Sequence, residues 1–272
     1  MQYIQVGDQK IPALGLGTYQ LTGKTAEKII EKAFDVGYRH LDTAQLYGNE
    51  KEVGQSIKSS GLKREELFVT TKIWWTKLNP KDFEASVEKS LKKLKLDYVD
   101  LLLIHWPHPS LSYKVYIPEL MRMQETGLTK HIGVSNFPTK LVKKSIKMGA
   151  NLITNQVEYH PLLDQSKALK TVRKYGMFLT AYSPVAQGQV GDEPELMRIA
   201  KKYNKDPFQI TLRWLIQQGD VAAIPRTKSK KNLKKNFKIF DFELSPKDMD
   251  AIFALNKQKK RLVDPEWGPE WD

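Results

Sequence analysis

A carboxylate, an ammonium and an imidazole stand where successive apolar runs of this chain give out, and a phenol in the loop beyond the first of them. They are Asp42 and Tyr47 in "HLDTAQLYGNE", Lys72 closing "LFVTTK", and His105 in "LLLIHWP". Singly, each has an ordinary reading. Asp42 would be a helix cap or surface acid, Lys72 would reach solvent along its methylenes, His105 would be a satisfied core histidine and Tyr47 a packed aromatic. As a set they resist that explanation, because burying each ionisable group costs several kcal/mol unless the groups pair. A tyrosine acts as a general acid near neutral pH if a nearby ammonium lowers its pKa, and a carboxylate can hold that ammonium in place. A histidine on the opposite side can hydrogen-bond a carbonyl oxygen, orienting it and stabilising charge as it develops. Together this is equipment for reducing a carbonyl, with hydride supplied by a cofactor.

What the chain lacks narrows the chemistry further. It has no cysteine, no G-x-S-x-G and no H-E-x-x-H. The five histidines, His40, His105, His108, His131 and His160, lack metal-ligand spacing, and Trp106-Pro107 keeps His105 and His108 off a common helical face, so no metal is expected. "GLGTYQLTGKT" fails as a P-loop because Thr18 stands where glycine is required, and it does not complete G-x-G-x-x-G. The better anion site is "IPRTKSKKNLKKN". Arg226, Thr227, Lys228 and Ser229 sit at an expected strand end, followed by a helix N-terminus near Ser229 or Lys230 whose free amides favour anions. The plain alternative there is a solvated basic helix face.

The elements that must position these groups form a repeat. Short runs, among them "LFVTTKIW", "YVDLLLIHW", "HIGVSNF", "LITNQVEY", "FLTAYSPV" and "VAAIP", alternate with amphipathic segments. Most runs are continuously apolar, as parallel strands covered on both faces are. Residues 25 to 36 carry apolar positions at helical spacing and stop at Gly37; "NPKDFEASVEKSLKKLKL" opens with Asn79 as cap and Pro80 at the first helical position, and Asp206-Pro207 and Ser245-Pro246 open helices in the same way. Eight strand-helix units in this length predict a closed (β/α)8 TIM barrel, with a doubly wound sheet as the runner-up. The first dozen residues stand outside the repeat and read as a hairpin turning at Gly7-Asp8, placed to plug the N-terminal mouth. No linker or low-complexity tract divides residues 1–272, which read as one domain. In a barrel, Asp42, Lys72, His105, Ser135, Asn136, Gln156, Glu158, Tyr182, Ser183 and Arg226 to Ser229 converge on the C-terminal mouth.

Bulk properties bound the setting. The chain has 272 residues and a formal net charge of +13. Its apolar runs fall short of a bilayer span, its N-terminus lacks the pattern of a secretory signal, and the absence of cysteine fits a cytoplasmic location. The charge raises nucleic acid as an alternative, but Lys is spread along helical segments with no RNA-binding aromatic signature. Attraction of a small anionic cofactor or substrate is the cheaper reading of the same charge.

The order and wording of "LGLGTYQL", "GYRHLDTAQLYGNEKEVG", "TTKIW", "LLLIHWP", "IGVSNF", "NQVEYHP", "AYSPVAQG" and "IPRTKSKKNLKKN" resemble the aldo-keto reductase family nearly end to end. The ending "RLVDPEWGPEWD" is similar to that of the bacterial 2,5-diketo-D-gluconate reductase B group, which also reduces methylglyoxal and other small aldehydes. The resemblance implies a barrel binding NADPH in extended form, with Asp42, Tyr47, Lys72 and His105 as the catalytic tetrad. It implies carboxamide contacts from Ser135, Asn136 and Gln156, and Tyr182 stacking on the nicotinamide. Ser183, Val185 and Gln187 would follow the pyrophosphate, Arg226, Thr227, Lys228 and Asn236 would meet the adenosine 2′-phosphate end, and Tyr19, Trp74 and Trp106 would line the substrate pocket.

Two departures bear on the cofactor. Asn232 stands where many relatives have Arg, and Lys235 where they have Glu, while Lys228 replaces a frequently apolar residue. The stretches "PHPSLSYKVYIPE" and "AQGQVGDEPE" read as short loops leaving an open pocket for small polar carbonyls. The expectation is a cytoplasmic, monomeric, NADPH-dependent reductase of small aldehydes, α-ketoaldehydes or keto sugars, with no nucleic-acid or membrane partner. An NADPH-binding barrel acting as a regulatory or structural partner, and a basic nucleic-acid-binding protein, are the rivals.

Overall fold

In the computed structural model, which describes residues 1–272, the chain opens with a hairpin. Strands β1 (Tyr3–Val6) and β2 (Gln9–Pro12) pair antiparallel about a left-handed Gly7. Eight parallel strands follow: β3 (Leu16–Gly17), β4 (His40–Asp42), β5 (Phe68–Ile73), β6 (Val99–Ile104), β7 (Thr129–Ser135), β8 (Leu152–Glu158), β9 (Phe178–Tyr182) and β10 (Val221–Ala223). They hydrogen-bond in chain order, and a parallel bridge between Leu14 and Ala223 joins first to last. The barrel is therefore closed, as the repeat predicts. Pro12, where the hairpin ends, lies 3.1 Å by its carbonyl from His40 Nδ1 at the start of β4, which sets the hairpin at the N-terminal end of the barrel.

The closing seam is tight. Gly15 N–H donates to the Ala223 carbonyl at 2.9 Å, Gly17 N–H to that of Pro225 at 3.1 Å, and Ala223 N–H to that of Ala13 at 2.8 Å. Glycine is required at position 17, since a Cβ there would meet the Ile224 carbonyl oxygen at 2.6 Å. Strands β5, β6 and β8 are buried along their whole length, which explains why their sequences do not alternate in polarity. Between Ile132–Leu152 and Val134–Asn155 the pairing of β7 with β8 slips by a bulge, just before both strands deliver their polar ends.

The helices between and after the strands are α1 (Gly23–Val36), α2 (Glu50–Ser59), α3 (Pro80–Leu94), α4 (Tyr113–Glu125), α5 (Thr139–Lys147), α6 (Ser166–Lys174), α7 (Pro194–Tyr203), α8 (Pro207–Gln217), α9 (Lys230–Phe237) and α10 (Pro246–Phe253). The expected caps are present. Asn79 accepts from Lys81 N–H, Asp206 and Gln209 form a reciprocal capping box, and Ser245 accepts from Asp248 N–H. One reading needs correction. "PHPSLSYKVYIPE" is not all loop: Ser112 caps α4, which begins at Tyr113, so the connection after β6 is shorter than the quoted stretch. After β9, "AQGQVGD" (Ala186–Asp192) forms short 3-10 turns broken by a kink at Gln187 and Gly188, and α7 follows from Pro194.

Candidate active site

Asp42 closes β4 and Lys72 lies in the neighbouring β5, both fully buried. Lys72 Nζ donates to Asp42 Oδ1 at 2.5 Å and to the Thr43 carbonyl at 2.9 Å. The other carboxylate oxygen, Oδ2, accepts from Gln156 Nε2 at 2.8 Å, from a strand across the barrel. Both ions thus have the partners that burial demands.

Tyr47 comes from the turn between β4 and α2, and its hydroxyl lies 3.4 Å from Lys72 Nζ. Asn49, fully buried, fixes that turn: its Nδ2 donates to the carbonyls of Thr18 and Leu21, and its Oδ1 accepts from the Thr43 hydroxyl. Gln45 fixes it from the other side, donating to Ser86 and Ser90 on α3 and accepting from Trp74 N–H. His105 follows β6 directly, its ring edge-on to Tyr47 at 5.6 Å and to Trp74 at 5.3 Å. The four residues singled out first therefore meet at one place, though no two share a strand.

Their electrostatics differ from expectation at one point. Burial, with the charges of Asp42 and Tyr19 next, pushes the Tyr47 phenol well above its ordinary range, so a lowering by Lys72 does not govern its acidity here. The physical reason is first that burial disfavours the phenolate, and second that the Asp42 carboxylate paired with Lys72 repels it. Burial lowers Lys72 itself, opposed by Asp42. Burial, then Lys72, drives His105 well below its ordinary value, so its imidazole is neutral near pH 7. His105 Nδ1 is buried without a partner. An unpaired N–H costs more than an unpaired lone pair, which favours the proton on Nε2.

A second group of polar residues comes from β7 to α9. Ser135 Oγ donates to the Gln156 carbonyl, Asn136 Nδ2 donates to the His105 carbonyl and to Ser135 Oγ, and the Tyr182 hydroxyl donates to Asn136 Oδ1 at 2.9 Å. Asn136, Ser183, Ala186 and Gln187, none of them glycine, have left-handed backbone, a concentration of strain at the ends of β7 and β9. Val185 is half-buried and Gln187 exposed in the same segment. Beyond β10, Arg226 and Lys228 are exposed, Arg226 donates to Gln20 Oε1 at 2.6 Å, and Ser229 N–H donates to Thr227 Oγ1. Ser229 caps α9, accepting from Asn232 N–H, and Asn236 lies half-buried near that helix's end. Lys235 is committed to Asp206 at 2.9 Å. The donor set, with hydroxyls and amides at one end and cations beside a helix N-terminus at the other, fits an extended anionic dinucleotide.

The aromatic cluster beside these residues is larger than the sequence reading anticipates. Tyr19, half exposed, lies 5.1 Å from the Tyr47 ring. Trp74 and Trp106 are joined by Trp267, whose ring stands 5.7 Å and 5.0 Å from theirs and 6.0 Å from Trp75. Trp267 and Trp75 carry no sequence signal beyond their type, because their partners are assembled only by folding. Nowhere do three or more His, Asp or Glu side chains gather in a way that could hold a metal ion.

Comparison with known proteins agrees with this geometry. Residues 13–257 match the model of the Aldo/keto reductase family. The chain is 40% identical over 267 residues to methylglyoxal reductase DkgB of Escherichia coli O157:H7, covering 96% of this chain and 99% of that one. It is 41% identical over 259 residues to a glyoxal reductase of Bacillus subtilis (strain 168), covering 94% and 93%. A solved structure named for 2,5-diketo-D-gluconic acid reductase B superposes with a TM-score of 0.97 at 43% identity, covering 100% of this chain and 98% of its own.

Proposed function

The chain belongs to the aldo/keto reductase family, and from that premise we propose that residues 1–272 act as one barrel domain reducing small carbonyl compounds with NADPH. Methylglyoxal, glyoxal and 2,5-diketo-D-gluconate are the first substrates to test, since the relatives are named for them. The observation that carries the reading is the Lys72–Asp42 ion pair beneath the Tyr47 hydroxyl, with the His105 ring edge-on to it.

Ser135, Asn136, Gln156 and Tyr182 would hold the nicotinamide end, Ser183, Val185 and Gln187 the pyrophosphate, and Arg226, Thr227, Lys228, Ser229 and Asn236 the adenosine end. When bound, the nicotinamide supplies the hydride. His105, neutral and protonated on Nε2, donates a hydrogen bond to the carbonyl oxygen and orients it. Tyr47 keeps its proton near pH 7 because burial disfavours the phenolate. It yields that proton as negative charge grows on the oxygen, while Lys72, held by Asp42, stabilises the phenolate left behind. Tyr19, Trp74, Trp106 and Trp267 enclose the substrate and exclude water.

The test is Tyr47→Phe followed at 340 nm with methylglyoxal. The expected outcome is unaltered NADPH binding with turnover lowered by about three orders of magnitude or more; near-normal turnover would remove Tyr47 as proton donor. Preference for NADPH rests on Arg226 and Lys228, and equal kcat/KM with NADH would overturn it. No helix is long and apolar enough to cross a membrane; a monomer working in the cytoplasm completes the proposal.

A further inference from the structure

The last residue of β8, Glu158, is a fully buried carboxylate that the chemistry above does not use. Its Oε1 accepts from Leu262 N–H at 2.8 Å and from His160 Nε2 at 2.9 Å, and its Oε2 accepts from Val263 N–H at 2.8 Å. Two successive backbone amides of a distant segment therefore converge on the two oxygens of one carboxylate. Nearby, Lys260 N–H donates to the Leu162 carbonyl at 2.8 Å. The same segment is fastened at its far end. Asp272 accepts from Thr139 N–H at 2.8 Å and from Thr139 Oγ1 at 2.9 Å, capping α5, whose own cap residue Pro138 has no side chain able to do so. Between the anchors, Trp267 lies against Trp74 and Trp106, and Trp271 is held by Trp106, the Arg261 guanidinium and Asp264.

We propose that Glu158 is a positioning residue: by holding residues 262 and 263 it fastens a strap across the barrel mouth and sets Trp267 as a wall of the carbonyl pocket. The inference rests on the reductase reading for its kinetic half only. A carboxylate is needed because it offers two acceptor oxygens and no donor. A glutamine would turn an NH2 against one of the two backbone donors.

The test compares Glu158→Gln with wild type, both saturated with NADPH. Amide hydrogen exchange over residues 259–272 is expected to quicken by about tenfold, and KM for methylglyoxal to rise by about tenfold with kcat within about twofold, the loss expected for one charge-assisted hydrogen bond. Trp267→Ala should raise KM to a similar degree, and combining the two should add little, since both remove the same wall. Unchanged exchange and KM in Glu158→Gln would overturn the proposal, as would a fall in kcat at constant KM or additive effects in the pair. If Glu158→Gln does not fold, Asp272→Ala, which frees the other anchor, takes its place with the same expected and overturning results. Should wild type reduce no carbonyl, the reductase reading fails while the exchange result still decides whether Glu158 holds the strap.

Discussion

Lys72 is the residue at which stability and chemistry are hardest to separate, because its ammonium and the Asp42 carboxylate are both out of water. Removing one partner leaves an uncompensated charge, whereas removing both leaves an apolar site. Lys72→Met is expected to cost about 3–5 kcal/mol, seen as a lower urea midpoint, and to abolish turnover. The double variant Lys72→Met/Asp42→Leu should recover much of that stability and none of the turnover. Recovery of activity in the double variant would remove the pair from the chemistry. The types and spacing of these residues were legible in the sequence because Asp42, Lys72 and His105 close apolar runs and Tyr47 lies in the loop beyond the first of them. The direction of the Tyr47 shift was not, because it depends first on how deeply folding buries the phenol and then on the nearby Asp42 charge. Nor could Glu158 be told from any other strand-end acid until Leu262 and Val263 were seen to close on it.

Among the elements, the short strands β3 and β10 close the barrel at a seam whose backbones approach most closely at Gly17. Gly17→Ala pushes a methyl group toward the Ile224 carbonyl. It is expected to destabilise the fold by about 1–3 kcal/mol, the usual range for overpacking. Thermal unfolding followed by circular dichroism would measure it, and an unchanged midpoint would show that the seam yields more than its geometry suggests. The helices were readable from their caps and apolar stripes, and the strands from their continuous runs. The length of the connection after β6 was misread because "SYKVYIPE" contains Pro118, which argues against helix, while tertiary packing buries Tyr116, Ile117 and Leu120 and carries α4 through it. The bulge between β7 and β8 did leave a trace, Gly133 inside an otherwise β-branched run, where a Cβ would meet the Thr154 carbonyl oxygen at 2.9 Å.

For the molecule as a whole, buried neutral histidines tie stability to pH. His40 and His105 are held below their ordinary value, mainly by burial. Below about pH 6.5 the unfolded chain takes up protons at these rings while the folded chain does not, so stability falls as the pH drops through that window. The unfolding midpoint should therefore be lower at pH 5 than at pH 7, and a flat or rising midpoint over that range would show that other groups outweigh the two rings. The arrangement of the mouth has a consequence of another kind. The proton-handling side chains come from residues 42 to 105 and the candidate cofactor contacts from residues 135 to 236, with α4 between them. Between the two sets of site residues run two side-chain hydrogen bonds, Gln156 to Asp42 and Asn136 to the His105 carbonyl. Natural recombination within α4, or deliberate chimera building there, could exchange the coenzyme taste of one relative for that of another while inheriting the acid intact, provided those two bonds, the β6–β7 ladder and the closing seam are kept in register.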